Sequence, residues 1–146
     1  MVSQDRMKIK LIDFSTARLD KHTITYTSTA IGNSFYMAPD YYDFDEDDKN
    51  MDLEKNIRIS CKVDVWSVGC IISELLSGIF PWHNVTKNES KVEASLIQKK
   101  PFPIPIEIDK NYPEYKAMLQ RCLEPNSDER GTCEDVRVFL REKFGR

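Results

Sequence analysis

The sequence has no excess of positive charge. Lys and Arg number 21 against 24 Asp and Glu, which leaves a net charge of −3. A nucleic-acid or anionic-membrane partner ordinarily requires a basic surplus, so neither is expected. Long apolar runs are missing too: no stretch approaches the roughly 18 consecutive apolar residues of a membrane span. The opening MVSQDRMKIK lacks the apolar core of a secretory signal. The four cysteines, Cys61, Cys70, Cys122 and Cys133, form no C-x-x-C pair and stand among apolar or helical residues, the pattern of reduced thiols. A cytoplasmic or nuclear protein is expected, and the sequons at Asn84 and Asn88 are then fortuitous.

At 146 residues the chain is one domain long, enough to bury a substantial core. Ile9, Leu11 and Ile12 form a short β-rich run that ends on "DFSTAR", residues 13–18. Asp13 at the mouth of a strand has an ordinary explanation as a turn former. From Ser15 to Asn33 no apolar period survives, and Thr23, Thr25, Tyr26, Thr27, Ser28 and Thr29 crowd together, which predicts a long loop. Pro39 in "SFYMAPD" biases Ala38 toward extended backbone. The acidic residues from Asp43 to Asp48 belong in solvent, within a stretch around 43–56 that is the plausible insertion.

Helical periodicity dominates the remainder. Val63, Val65, Trp66, Val68, Cys70, Ile71, Ile72, Leu75 and Leu76 cover most of a helical circumference, so a helix over 62–77 should be buried on more than one side. Gly78 should end it and Pro81 prevent its resumption. A weaker helix is expected over about 90–99, then an extended connector through Pro101, Pro103 and Pro105. Tyr115, Met118, Leu119, Cys122 and Leu123 make one apolar face of a helix that begins near Pro113. Thr132 and Asp135 spell a capping box for a last helix whose inward face would be Val136, Phe139, Leu140 and Phe144.

Taken in order, Asp13-Phe14-Ser15, then Gly32 to Asp40, then Asp64-Val65-Trp66-Ser67-Val68-Gly69, then Arg130-Gly131-Thr132 resemble the C-terminal lobe of a protein kinase from its D-F-G position onward. The resemblance spans roughly the whole chain. It implies a mainly α fold with a short β element at the N-terminus, and one partial kinase domain over 1–146. It also implies that Asp13 is the magnesium ligand, because a hard cation takes a carboxylate oxygen. "GNSFYMAPD" resembles the end of an activation segment, with Gly32, Asn33, Tyr36 and Pro39 in the substrate platform. Asp40 would pair with Arg130, and Asp64 would anchor the backbone of a catalytic loop, while an aspartate at a helix start also serves as a cap. The hydroxyls of Thr23, Thr25, Tyr26, Thr27, Ser28 and Thr29 lie where kinases are switched by phosphorylation.

Three positions depart from the pattern, the first two being Ser15, where glycine is usual, and Asn33, where serine/threonine kinases carry a threonine. Asp40 is also one methylene shorter than the usual glutamate. "FYMAPD" resembles the serine/threonine or mixed type more than the tyrosine type. A glycine-rich loop, a strand lysine and a catalytic loop with its aspartate base are not found here, and only twelve residues precede Asp13. Residues 1–146 alone are therefore expected not to catalyse, and ATP and Mg2+ are expected for a full-length relative rather than for this stretch. The partner would be a protein substrate or the rest of a kinase. The other readings are a non-catalytic kinase-like interaction module and a small helical domain with a fortuitous pattern.

Overall fold

A computed structural model describes residues 9–17, 25–27, 32–43 and 57–145. Among them the protein is mainly helical, with five α-helices and one two-stranded sheet. The strands β1 (Thr25–Thr27) and β2 (Ile57–Ile59) pair antiparallel in the register Thr25↔Ile59, Tyr26↔Arg58 and Thr27↔Ile57. This corrects the expected loop over 15–33. β-Branched and aromatic residues suit a pleated strand, but three residues are too few to show an alternating pattern. The β-rich run at 9–12 also differs from expectation. It holds a single bridge residue at Ile9, and Ile9, Leu11 and Ile12 are exposed.

Helix α1 runs Lys62–Ser77 and stops where Gly78 adopts the left-handed conformation at φ 69°, with its N–H donated to the Glu74 carbonyl. A glycine enters that region without the steric penalty of a Cβ. One side of α1, carrying Val63, Trp66, Cys70 and Ser73, is buried in the core. The opposite stripe is not: Val68, Ile71 and Leu75 are 37%, 47% and 76% exposed. The two-sided apolar pattern thus meets a core on one side among the described residues.

That core is aromatic at its centre. Phe102, from the proline-rich connector, meets Trp66 and Trp82 edge-on at centroid distances of 6.1 and 5.3 Å, the arrangement favoured by ring quadrupoles. Helix α2 (Glu89–Ile97) starts on Asn88, whose Oδ1 accepts the Lys91 N–H at 3.2 Å, and it sends Val92 and Leu96 inward. After the connector comes α3 (Ile106–Asn111), which buries Ile108 and is too short for its periodicity to be read from sequence. A 3-10 turn over Pro113–Tyr115 leads into α4 (Lys116–Cys122), and its Met118, Leu119 and Cys122 are buried.

Helix α5 (Cys133–Phe144) opens with a full capping box. The Thr132 N–H and hydroxyl both donate to the Asp135 carboxylate, at 2.7 and 2.8 Å, while Thr132 Oγ1 accepts the Asp135 N–H at 3.2 Å. Val136 is buried and Phe139 and Leu140 pack partly on the core, but Phe144 is 62% exposed. Phe144 faces solvent and is not part of the inward face. No helix among the described residues is long and apolar enough to cross a membrane.

At Gly69 helix α1 comes close against the end of α4. A Cβ placed there would stand 2.8 Å from Cys122 Cβ and 3.0 Å from the Leu123 side chain. Gly69→Ala should therefore destabilise the fold by about 1–3 kcal/mol through overpacking, read as a lower urea midpoint. At the other end of the fold, Thr132→Ala should cost about 1 kcal/mol by removing the cap. Hydrogen bonds from Thr132 hold the Asp135 carboxyl below its ordinary value of 3.8. A depressed pKa stabilises the native state above the unfolded value, and that contribution is lost as pH falls through the folded value. The gap between the urea midpoints of the natural chain and the Thr132→Ala variant should therefore narrow below about pH 4, while the part owed to the capped Asp135 N–H persists.

Candidate functional site

The segment 32–43 is pinned onto α1 and α2 by a set of polar contacts that link residues far apart in sequence. At its start Gly32 has φ 137°, a conformation that glycine alone adopts without strain. Asn33 then caps a 3-10 turn over Ser34–Tyr36, its Oδ1 accepting the Phe35 N–H at 3.1 Å. Ser34 is buried, with its hydroxyl 2.9 Å from Glu89 Oε1 and 3.1 Å from Glu93 Oε1 on α2. The Tyr36 hydroxyl donates to Glu74 Oε2 at 2.6 Å, and burial followed by that carboxylate raises the phenol above its ordinary range. Ser67 on α1 donates to the Tyr36 carbonyl at 2.9 Å. Phe80 packs against the rings of Phe35 and Tyr36 at 5.1 and 5.6 Å.

Ala38 is extended ahead of Pro39, as the steric demand of a proline requires. Pro39 and Asp40 open a second 3-10 turn, Pro39–Tyr42, and both are buried. Asp40 Oδ2 accepts from Arg130 Nη2 at 2.6 Å, and the two side chains are 6% and 0% exposed. A buried guanidinium must find acceptors for its rigid fork of donors. Arg130 Nε donates to the Glu124 carbonyl at 2.8 Å, Nη1 to the Lys62 carbonyl at 3.0 Å and Nη2 also to the Pro125 carbonyl at 3.2 Å. Its carbon Cζ lies 5.3 Å from the Trp66 ring centroid, a cation–π contact. Lys62 reinforces the junction by donating to the Ser127 and Asp128 carbonyls at 2.8 and 3.2 Å.

Asp13 lies apart from this junction and is exposed. Its φ is 61°, a region that aspartate enters more readily than most residues. The Ser15 hydroxyl donates to Asp13 Oδ1 at 2.6 Å and the Ser15 N–H to the same oxygen at 3.4 Å, which holds the carboxyl below its ordinary value. Asp64 sits in the first turn of α1, whose N-cap is Cys61, and partial desolvation pushes its carboxyl upward. Asp64 shares the helix stripe of Val68, Ile71 and Leu75. Of the hydroxyl cluster, Thr25, Tyr26 and Thr27 form β1, while Thr23, Ser28 and Thr29 lie outside the described residues. The tethers through Glu74, Glu89, Glu93 and Lys62 left no signal in sequence, because no local spacing links them to 34–36 or to 127–128.

A sequence model of the protein kinase domain family matches residues 1–139. The chain belongs to this family. Among its relatives, the MAP kinase kinase kinase mkh1 of Schizosaccharomyces pombe is 33% identical over 106 residues, covering 72% of this chain and 8% of that protein. The serine/threonine-protein kinase BCK1/SLK1/SSP31 of Saccharomyces cerevisiae is 28% identical over 134 residues, covering 87% and 8%. The serine/threonine-protein kinase MPS1 of the same yeast is 27% identical over 136 residues, covering 88% and 18%. This kinase-family chain thus spans under a fifth of the length of each of these relatives.

Removing Asp40 would leave the Arg130 charge buried with carbonyl acceptors alone. Asp40→Ala should cost about 3–5 kcal/mol, measured by equilibrium unfolding. Lys100→Ala, at an exposed position, should cost under about 0.5 kcal/mol in the same assay.

Proposed function

We propose that this chain is the substrate-facing, C-terminal part of a serine/threonine-type protein kinase that transfers the ATP γ-phosphoryl group to protein hydroxyls. The observation that carries this reading is the buried Asp40–Arg130 pair, which fixes the segment 32–43 on the helical body as a rigid shelf. On that shelf Gly32, Asn33, Tyr36 and Pro39 form the platform on which a protein substrate would lie. Asp64 heads the uncovered stripe of α1, where an exposed carboxylate with an adjoining apolar surface suits the anchoring of a catalytic loop supplied from outside residues 1–146. Phosphorylation would act on the hydroxyls at 23–29, in the chain leading into the platform.

Asp13 fits magnesium as one ligand. It is an exposed, ionised hard oxygen donor. Among the described residues no group of three or more candidate ligands surrounds it, so phosphate oxygens, water and other residues must complete the shell. Bound there, the ion would neutralise the charge of the ATP phosphates. The work of this chain is to present the Asp13 carboxylate and to orient the substrate. Against the glycine usual at its position, Ser15 adds a hydroxyl that shares Asp13 Oδ1. That contact favours a second reading, a kinase-like module that binds proteins without phosphoryl transfer.

Incubated with magnesium, ATP and a general protein substrate, residues 1–146 should incorporate no phosphate. The product of the native transcript extended upstream should incorporate it, and Asp13→Asn should reduce that rate by at least about 100-fold. Activity of residues 1–146 alone would overturn the proposed division of labour. A native product that folds and stays inactive would support the non-catalytic reading.

A further inference from the structure

Helices α4 and α5 leave a cleft of about 340 Å³ between them, on a part of the molecule that carries none of the platform residues 32–43. Its floor is apolar: Met118, Cys122 and Val136 are buried and Phe139 is half-buried, while Val138 at the lip is 41% exposed. Acidic groups dominate its rim, where the four carboxylates of Glu114, Glu134, Asp135 and Glu142 stand against the single guanidinium of Arg121. Two exposed ion pairs tie the walls together, Arg121–Asp135 at 3.2 Å and Lys143–Glu114 at 2.6 Å. Glu134 pairs with Arg137 on its own helix, and Glu142 makes no ion pair among the described residues. Hydrogen bonds from Lys143, Arg137 and Thr132 hold Glu114, Glu134 and Asp135, respectively, below the ordinary carboxylate range, so all three are charged at neutral pH.

We propose that this cleft is a docking site for a basic amphipathic helix of a partner protein, which seats its apolar side chains on Met118, Val136, Val138 and Phe139 and sets Lys or Arg residues against the carboxylate rim. A helix that lies in an apolar groove presents its anchors at i, i+3, i+4 and i+7. The cleft answers that pattern from α5, where Asp135, Val138, Phe139 and Glu142 occupy i, i+3, i+4 and i+7 of one face, apolar in the middle and acidic at each end. From Asp135 to Glu142 the helix rises about 10 Å, or two turns. Acids at that separation match cations two turns apart on a guest helix, whereas one small amine reaches only one of them. The ion pairs already present leave the site open to such a guest, because exposed pairs are weak and a carboxylate can share or exchange its partner at small cost. An acidic helix is disfavoured, since its carboxylates would face four others across the cleft.

The test titrates the full chain into a fluorescein-labelled helical peptide of about four turns, with leucines on one face and lysines on the other, and follows anisotropy. A second peptide carries glutamate at every lysine position. The lysine peptide should bind saturably and the glutamate peptide should not. Glu134→Gln combined with Glu142→Gln should weaken binding at least about tenfold. Asn84→Lys combined with Gln98→Lys changes the net charge equally at exposed positions outside the cleft, and should leave binding within about twofold. Val138→Ser alters no charge and should weaken binding at least about fivefold. Amide shifts of the isotope-labelled chain should centre on α4 and α5. Absence of saturable binding, or equal weakening by the two double variants, would overturn the proposal. So would shifts centred on the exposed stripe Val68–Ile71–Leu75, or octylammonium binding as tightly as the peptide, which would assign the cleft to a small amine. All these readouts are independent of phosphoryl transfer, so their failure is distinct from failure of the kinase reading.

Discussion

Arg130 is a cation with no access to solvent, and three segments of the structure are arranged around its donors. The guanidinium carries its charge in a plane, so its partners must converge from fixed directions. Asp40 supplies the compensating charge, the carbonyls of Lys62, Glu124 and Pro125 take further N–H groups, and the Trp66 ring lies against it. These partners come from the platform segment, the start of α1 and the α4–α5 connection. Each would be free to move separately without a common centre. A buried ion pair is costly to desolvate and adds little net stability by comparison with apolar packing. Its consequence is geometric: only one arrangement of three segments satisfies the arginine.

The contacts of the platform extend that logic. Ser34 meets two carboxylates of α2, Tyr36 meets Glu74 near the end of α1, and Ser67 holds the Tyr36 carbonyl. The irregular segment therefore has its polar groups answered by helices on both sides, and Phe80 covers its aromatic residues. Irregular backbone stays in place only where such partners exist, since unpaired buried groups are expensive. The exposed stripe Val68–Ile71–Leu75 marks the opposite situation. There an apolar face of the same helix is partly exposed among the described residues, although its sequence pattern calls for burial on two sides.

Much of the helical frame was legible in sequence because its signals are local. The bounds of α1 follow from a dense apolar pattern and the glycine that stops it, and α5 begins at a capping box spelled by two residues three apart. The misses have equally physical causes. Helix α3 is six residues long, less than two full turns, so no periodic face can declare itself. Strands β1 and β2 have three residues each and are joined only through pairing across a long separation. The run at 9–12 looks like a strand by composition, yet composition supplies no partner strand. Phe144 continues the apolar period of α5 yet stands mostly in solvent.

The sequence by itself determined the kinase family and the positions of the principal helices, and it singled out Asp40 and Arg130 as partners, because ordered motifs and 3.6-residue periodicity are written along the chain. The tertiary structure alone decided that Arg130 lies fully buried with carbonyls from three residues besides Asp40, and that Glu74, Glu89 and Glu93 secure the platform. Those relations depend on which surfaces meet when helices pack. A one-dimensional pattern specifies which face of a helix is apolar, whereas the acceptor that meets a given donor is fixed by the depth and angle at which two such faces close.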